Sequence, residues 1–481
     1  VLLNSSEITF PDFTYHRCMA EADELHASRQ GIETVASADY WRKVCPGLHL
    51  GDTQFQGEAQ SRQRKVADDS ACDEVRRRLV DEGFARFSPD QITWSVDVES
   101  LANGVLALEK HGWPATFIAM FDEAWVMAAD ARQIMSRATG NEMCMDIVGF
   151  LVDPLRAKGF SPHRDRQPED WMPRGVPEAV SSTFREDGMA KYVTLWAALT
   201  DAHSDNSCLH FVPKKYDPGY AAGDLTDADP MQRCFGDKSA FQNIRCQSVS
   251  AGGCTFHTHR TIHWGNRGSP SYNGRPRIAL SFGFSCHDFE PPYFNPKHLP
   301  FPAIGLRLAL VSAQVLNYAT LAAGDGEGWI ALAGTMAGCS SSTLKMLHKL
   351  FLRRKKAFHS SYCQEIARKF VAVSLHLGCG SSGSSNAKES SYEVDSKSSI
   401  AKEGHGAKPF SSTHLVEGDS DEEDEALKAM LSAEADCGEI LFHDDFDMLE
   451  ESSFADAGLL AENCIKRKRK ARKKGGSALK V

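Results

Sequence analysis

Residues 192–199 read Tyr-Val-Thr-Leu-Trp-Ala-Ala-Leu, and this stretch decides the fold class. Val193 and Leu195 alternate with Thr194 and Trp196, which is the period of two that a β-strand gives its side chains. Similar short apolar runs, separated by Gly, Pro, Asn and Asp, cover residues 143–152, 208–213, 253–259 and 277–284. Several short strands joined by turns predict a mainly β fold, either a sandwich or a barrel.

Helical patterns flank these strands on both sides. A short helix is predicted to end at Gly83, and residues 84–87 leave it as a strand. Asp122 is predicted to cap a helix whose apolar residues fall on one face. Further helices are expected at 303–320 and 343–357. The β layer is therefore expected to carry flanking helices.

Changes in composition divide the chain into four parts. The predicted parts are an N-terminal arm at 1–72, a β domain at 73–300, a C-terminal helical extension at 301–377 and a tail at 378–481. The tail begins with a Gly- and Ser-rich stretch that buries too little apolar surface to offset the entropy of ordering. We therefore expect the tail to be disordered.

Charge is distributed unevenly along the chain. The 481 residues include 64 acids and 54 bases, a formal net charge of −10. Residues 381–465 hold 21 acids and 5 bases, whereas residues 466–481 hold 9 bases and no acid. The first 380 residues are nearly neutral, as in an ordinary globular protein. The acidic average therefore does not exclude a nuclear or nucleic-acid connection, because the basic cluster at 466–474 is local.

The cysteines and the apolar runs indicate the cellular compartment in which the protein is expected. Fourteen cysteines lack paired spacing, and the sequence does not begin with a secretory apolar region. We expect free thiols in a reducing compartment, cytoplasmic or nuclear, and not a secreted protein. The most apolar run, 304–323, contains Arg307, Gln314 and Asn317, which is typical of a core helix and not of a membrane span.

The strongest chemical signal is the His-Arg-Asp motif at residues 163–165. In an extended segment residues i and i+2 point to one face, so the imidazole and the carboxylate can converge on one metal ion. A second His would complete the set that holds Fe(II) with positions open for cosubstrate and oxygen. A kinase loop is excluded because Asp170 stands where that loop needs Asn. The motif alone does not distinguish a metal site from a capped loop, and another His-x-Asp lies at 203–205.

Two later features support the metal interpretation. His263 opens the stretch His-Trp-Gly-Asn-Arg-Gly, and an alternating run begins at Arg277, so that Arg277 and Ser281 share one face. An inward-facing Arg suits a dicarboxylate cosubstrate, because its planar guanidinium can bind a carboxylate through two hydrogen bonds. His257 and His259 form a His-x-His nearby and are interpreted as strand residues leading into His263.

In this order and spacing, the pieces resemble the phytanoyl-CoA dioxygenase family of Fe(II)/2-oxoglutarate oxygenases. The resemblance covers about residues 74–290. Its pieces are the motif at 163–165, the Trp strand and acidic loop at 192–202, the Cys-Leu-x-x-x-Pro strand at 206–213, the stretch 263–266 and the strand 277–281. In this register the second His-x-Asp, at 203–205, falls in the acidic loop and is interpreted as solvated.

The resemblance implies a fold and a ligand set. The implied core is a double-stranded β-helix of the jelly-roll, cupin-like type. Carried over residue by residue, Fe(II) is bound by His163, Asp165 and His263. Members that halogenate lack the carboxylate, so the intact Asp165 favours oxygenation. Besides iron, the implied cofactors are 2-oxoglutarate as cosubstrate and O2, with ascorbate as an additional reductant.

The resemblance also implies how the cosubstrate is held. Arg277 is expected to bind the C5 carboxylate of 2-oxoglutarate, with Thr194, Trp196 and Ser281 as further pocket residues. The loop before Arg277 is longer than is usual in the family, which keeps Arg275 as an alternative. Two other departures are Gly265, where many members have Ser, and Tyr216, where many have His.

We therefore expect a non-haem iron dioxygenase. It would hydroxylate a small-molecule or acyl-type substrate and convert 2-oxoglutarate to succinate. The alternative is a nuclear interaction or regulatory protein with a degenerate or chromatin-directed oxygenase domain. That alternative rests on the acidic-hydrophobic segment 439–460, a candidate protein-binding segment, and on the basic cluster 466–474, for which nucleic-acid contact stays open.

Overall fold

A computed structural model describes residues 29–62, 65–154, 159–166, 181–224, 229–323 and 341–379. Residues 1–28 of the predicted arm lie outside this set. Residues 380–481 of the predicted tail lie outside it as well, including the segments 439–460 and 466–474.

Two antiparallel sheets form the centre of the described chain. The larger sheet has five strands in the order β1, β7, β4, β9, β2, and the smaller has four in the order β3, β8, β5, β6. In chain order the strands are β1 Phe84–Phe87, β2 Glu142–Val152, β3 Phe160–His163, β4 Tyr192–Ala198, β5 Leu209–Phe211, β6 Arg245–Gln247, β7 Cys254–Thr258, β8 His263–Gly265 and β9 Arg277–Ser285. The predicted β layer is thereby confirmed, and its alternating segment 192–199 supplies the central strand β4.

The core lies between the two sheets. Phe84 of β1 stacks on Phe211 of β5, with ring centroids 4.9 Å apart, and Phe160 and Trp196 belong to the same apolar cluster. Every residue of β4 is buried, although its sequence alternates. The smaller sheet covers one face of β4, and helices pack on the neighbouring strands β7 and β9, which fits the burial of the whole strand.

Helices cover the outer side of the larger sheet, as predicted. The helices are α1 Arg29–Ala36, α2 Ala38–Val44, α3 Thr53–Ser61, α4 Asp69–Asp81, α5 Val98–Lys110, α6 Asp122–Ala138, α7 Gly219–Ala222, α8 Pro230–Cys234, α9 Ile304–Ala323, α10 Ser341–Leu352 and α11 Ser360–Cys379. Helix α4 packs on β1 and β7, α6 packs on β2 and β9, and α9 packs on β2. A 3-10 segment, Ala115–Met120, lies between α5 and β2.

Asp122 begins α6 but does not cap it, so that prediction is wrong. Phe121 occupies the cap position, and no side-chain cap hydrogen bond is present. Asp122 is instead fully buried and pairs with Arg307 of α9 at 2.6 Å. The ion pair stabilises the buried Asp122 carboxylate more than a helix N-terminus would, because it also neutralises the buried charge of Arg307.

The apolar run 304–323 forms the core helix α9, as its polar residues predicted. Arg307, Gln314 and Asn317 are all buried within the protein. Among the described helices, none has the length and apolar character needed to cross a membrane.

Candidate metal centre

The His-Arg-Asp motif lies where β3 ends against β8. In the antiparallel pairing of these strands, His163 is directly opposite His263. The close approach depends on Gly159, which has a φ of +81°. A Cβ at Gly159 would collide with the carbonyl of Gly265, so only glycine lets β3 approach β8 here.

Three potential metal donors converge at this point. Asp165 Oδ1 lies 3.5 Å from Nε2 of His163 and 3.7 Å from Nε2 of His263. One donor atom from each of these residues lies within 4.8 Å of the other two. Two imidazoles and one carboxylate form the donor set that non-haem Fe(II) prefers, so the residues present fit the ion.

Backbone carbonyls fix the tautomer of both imidazoles. The Nδ1 atom of His163 lies 2.8 Å from the carbonyl oxygen of Ser161, and Nδ1 of His263 lies 3.1 Å from that of Thr261. A carbonyl oxygen only accepts hydrogen bonds, so Nδ1 carries the proton in each neutral ring. The lone pair then stays on Nε2, the atom that faces Asp165.

The second oxygen of Asp165 is held by two other strands. The Thr194 hydroxyl of β4 donates to Oδ2 at 3.0 Å, and His257 Nε2 of β7 donates to the same oxygen at 3.1 Å. Burial opposes ionisation of Asp165, but the neighbouring imidazoles, His263 first and then His163 and His257, hold its pKa well below the ordinary value. The carboxylate is therefore ionised, with Oδ1 facing the Nε2 atoms of His163 and His263.

His263 is kept neutral by its surroundings. Burial, followed by the proximity of the His257 and His163 imidazoles, holds the pKa of the His263 imidazole well below its ordinary value. A neutral imidazole is the form that binds a metal, so His263 does not have to lose a proton first.

Arg277 begins β9 and is completely buried. Its guanidinium lies over the rings of Phe160 and Trp196, at 5.4 and 5.5 Å from their centroids. One guanidinium nitrogen donates to the Ser207 carbonyl at 2.5 Å, whereas Nε and the other terminal nitrogen have no hydrogen-bond partner among the described residues. Burial lowers the pKa of Arg277 to about 10, which leaves it charged at neutral pH.

The other residues predicted for the cosubstrate pocket lie on the paired strands β4 and β9. Ser281 is directly opposite Trp196 in the pairing of β9 with β4, and Thr194 lies two residues before Trp196 on the same face. The indole nitrogen of Trp196 is buried and has no hydrogen-bond partner among the described residues.

Two alternatives from the sequence lie away from the centre. Arg275 is on the surface and pairs with Glu99 at 2.7 Å. The His-x-Asp at 203–205 belongs to a surface 3-10 turn, in which the His203 ring accepts from the Asp205 backbone. Its position agrees with the interpretation of this copy as loop.

The contact of His257 with Asp165 was not anticipated from the sequence. The His-x-His pattern at 257–259 was the available signal, since it lies on a predicted strand close to His263. His259 has a different environment, because its Nδ1 faces the Tyr192 carbonyl at 3.2 Å and its ring stacks near Phe289.

Two antiparallel sheets around a His, His, carboxylate cluster define the class of a non-haem iron protein. The sequence model of the phytanoyl-CoA dioxygenase family matches residues 17–269, and the chain belongs to this family. It is therefore an oxygenase whose cofactors are Fe(II), 2-oxoglutarate and O2.

Three solved structures illustrate the similarity. The α-ketoglutarate-dependent epimerase SnoN from nogalamycin biosynthesis is 16% identical over 45% of this chain and 84% of its own, with a TM-score of 0.30. The carbocyclase SnoK from the same biosynthesis is 19% identical over 47% of this chain and 88% of its own, with a TM-score of 0.31. AviO1 from Streptomyces viridochromogenes Tue57 is 17% identical over 47% of this chain and 98% of its own, with a TM-score of 0.32. No curated protein sequence matches the chain.

Proposed function

We propose that the chain is a hydroxylase of a small-molecule or acyl-type substrate, with a double-stranded β-helix core at residues 73–300. The arm at 1–72, the helical extension at 301–377 and the tail at 378–481 would then be additions to that domain. Two antiparallel sheets that enclose the donor cluster support this architecture.

In this proposal His163, Asp165 and His263 bind the iron. The observation that carries it is the convergence of both Nε2 atoms on Asp165 Oδ1, at 3.5 and 3.7 Å, with neither Nδ1 atom available for the metal. The bound ion, with 2-oxoglutarate and O2, supplies the oxidising power that inserts one oxygen atom into a C–H bond and the other into succinate. The contacts of Thr194 and His257 with Oδ2 keep the carboxylate oriented.

Arg277 is proposed to bind the C5 carboxylate of 2-oxoglutarate. A charged guanidinium with two unpaired nitrogens inside an apolar core is costly unless an anion joins it, because burial removes its hydration. The rings of Phe160 and Trp196 lie 5.4 and 5.5 Å from the guanidinium and contribute to its exclusion from water. The unpaired indole N–H of Trp196 is a further donor for the cosubstrate, while Ser281 lies opposite it and Thr194 orients Asp165.

The test is turnover of 2-oxoglutarate by the full chain. Purified protein is supplied with Fe(II), 2-oxoglutarate, O2 and a metabolite extract, with and without ascorbate, and succinate and hydroxylated products are measured by mass spectrometry. We expect product in the wild type and none in His163→Ala or Asp165→Ala. The matched control His203→Ala, at the second His-x-Asp, should keep full activity; full turnover in either metal-site variant would overturn the assignment.

The alternative of a nuclear interaction protein rests on the segments 439–460 and 466–474. No contact among the described residues favours it.

A further inference from the structure

A second cluster of metal-binding side chains lies on the smaller sheet. It consists of Cys208, His210 and Cys246, each of which places one donor atom within 4.8 Å of the other two. His210 of β5 is directly opposite Cys246 of β6, and Cys208 is two residues before His210, so all three side chains share one face. Both cysteines are free thiols. None of the three belongs to the centre formed by His163, Asp165 and His263.

The His210 ring is oriented in advance. It stacks on Trp264 of the neighbouring strand β8, with ring centroids 5.4 Å apart and an angle of 19° between the planes. Its Nδ1 lies 3.3 Å from the carbonyl oxygen of Cys208, which places the proton on Nδ1 and the lone pair on Nε2. The lone pair on Nε2 is the one that a metal ion would use.

The two sulfurs are 3.2 Å apart. This is far longer than a disulfide bond of about 2.05 Å. Two thiolates on one tetrahedral zinc, with Zn–S bonds of about 2.3 Å, are separated by about 3.8 Å. Cys246 is exposed whereas Cys208 is fully buried, so Cys246 is free to move outward by the roughly 0.6 Å that this geometry requires.

A buried cation lies close to the backbone next to Cys208. A bound metal ion replaces the thiol proton outright. The guanidinium of Arg277 donates to the carbonyl of Ser207, the residue before Cys208, so the charge of a metal-bound sulfur would have a buried cation nearby.

We propose that Cys208, His210 and Cys246 form a binding site for a thiophilic metal ion of the Zn²⁺ class, with a water at the fourth position. Two thiolates and one imidazole are donors that suit Zn²⁺, and hard oxygen-seeking ions such as Mg²⁺ do not bind them. The exposed side of the site, at Cys246, is the entry path for the ion. The proposal is independent of the iron centre and stands whichever substrate the enzyme oxidises.

Cobalt is a suitable probe because thiolate ligands give Co²⁺ an intense near-ultraviolet charge-transfer absorption that imidazole and carboxylate ligands do not give. The reduced, metal-free full chain is titrated with Co²⁺, and Zn²⁺ is then added as a competitor. We expect the thiolate band to saturate between one and two added equivalents, because the centre of His163, Asp165 and His263 can also bind Co²⁺, and to disappear on addition of Zn²⁺. In Cys246→Ser the apparent affinity for Co²⁺ should fall by more than about 100-fold. Loss of an outer-shell partner costs about 10- to 100-fold, and loss of a direct ligand should cost more.

The matched control is Cys286→Ser, because Cys286 is a partly exposed thiol next to Asn141 and outside the cluster. It should keep the band. Since Cys208 is fully buried and its replacement can disturb folding, Cys246→Ser and His210→Ala are the deciding variants, with circular dichroism to verify their fold. Absence of the band in the reduced wild type, or an unchanged band in both deciding variants, would overturn the proposal.

Discussion

At the scale of single residues, Arg277 is a buried charge with hydrogen-bonding capacity left unfilled among the described residues. Its charge lies in a layer of apolar and aromatic side chains, with no carboxylate among the groups that it contacts in the described part of the chain. A hydrogen bond to a charged group contributes about 1.5–3 kcal/mol, and an unpaired buried charge costs more than that. The geometry is therefore that of a receptor for an anion.

Arg277→Lys should raise the KM for 2-oxoglutarate by roughly 10- to 100-fold, because a single ammonium cannot reproduce the planar, two-point contact. Steady-state succinate formation at varied 2-oxoglutarate measures this value. Arg275→Lys is the matched control, since Arg275 lies on the surface with Glu99 and should leave KM unchanged. A larger effect at Arg275 would transfer the cosubstrate role to that residue.

His257 is a positioning residue through its hydrogen bond to Asp165. We expect His257→Phe to weaken Fe(II) binding by about 10- to 100-fold, the usual cost of losing an outer-shell partner of a metal ligand. His257→Gln, whose amide can still donate, should recover most of the affinity. Anaerobic Fe(II) titration measures both variants. Equal losses in the two would indicate a packing role for His257 in place of a hydrogen-bonding one.

At the scale of secondary-structure elements, Gly149 controls how the larger sheet meets its helical cover. It lies in β2 under the 3-10 segment Ala115–Met120 and exchanges hydrogen bonds with Thr116, at 3.3 and 3.4 Å. A Cβ at this position would collide with the carbonyl group of Ala115, which is backbone and cannot rotate away.

Gly149→Ala should therefore destabilise the protein by about 1–3 kcal/mol, as expected for overpacking of a closely packed contact. Gly57→Ala is the matched control, because Gly57 is exposed in α3 with nothing within 4 Å of an added Cβ. Alanine is the better helix former there, so the thermal midpoint should stay or rise. An equal drop for both variants would contradict the close contact at β2.

Much of the β layer could be predicted from the sequence because its longer strands are apolar or alternate. The segments 143–152, 253–259 and 277–284 correspond to β2, β7 and β9 within two residues at each end. The short strand β6, Arg245–Gln247, carries no such pattern, since it owes its conformation to pairing with β5. Asp122 was mispredicted for a related reason: its partner Arg307 is far away in sequence.

The candidate site could likewise be predicted from the sequence only in part. His163 and Asp165 share a face by local geometry, and the structure brings His263 beside them and places Arg277 over the ring of Phe160. The bond from His257 to Asp165 crosses from β7 to the segment after β3. The alternating pattern of a strand predicts which face of the sheet a side chain occupies. It does not predict which residue of another sheet that side chain contacts.

At the scale of the whole molecule, ion pairs and hydrogen bonds connect the C-terminal helices to residues of the oxygenase core, one of which is next to the candidate metal site. Arg166, the residue after the candidate ligand Asp165, binds Glu290 at 2.7 Å and Glu365 of α11 at 2.7 Å. Asp146 of β2 accepts from Gln314 and Tyr318 of α9, at 2.5 and 3.1 Å. The helices therefore form polar contacts with the oxygenase core as well as apolar ones.

The central claim is that a single Fe(II) ion and 2-oxoglutarate meet at His163, Asp165 and His263. The most direct measurement is the visible charge-transfer absorption that appears when Fe(II) and 2-oxoglutarate bind together without O2, titrated in the full chain. We predict saturation at one iron per chain in the wild type and in His203→Ala, and no band in His163→Ala, Asp165→Ala or His263→Ala. A full-strength band in all three of these variants, or its loss in His203→Ala, would contradict the claim.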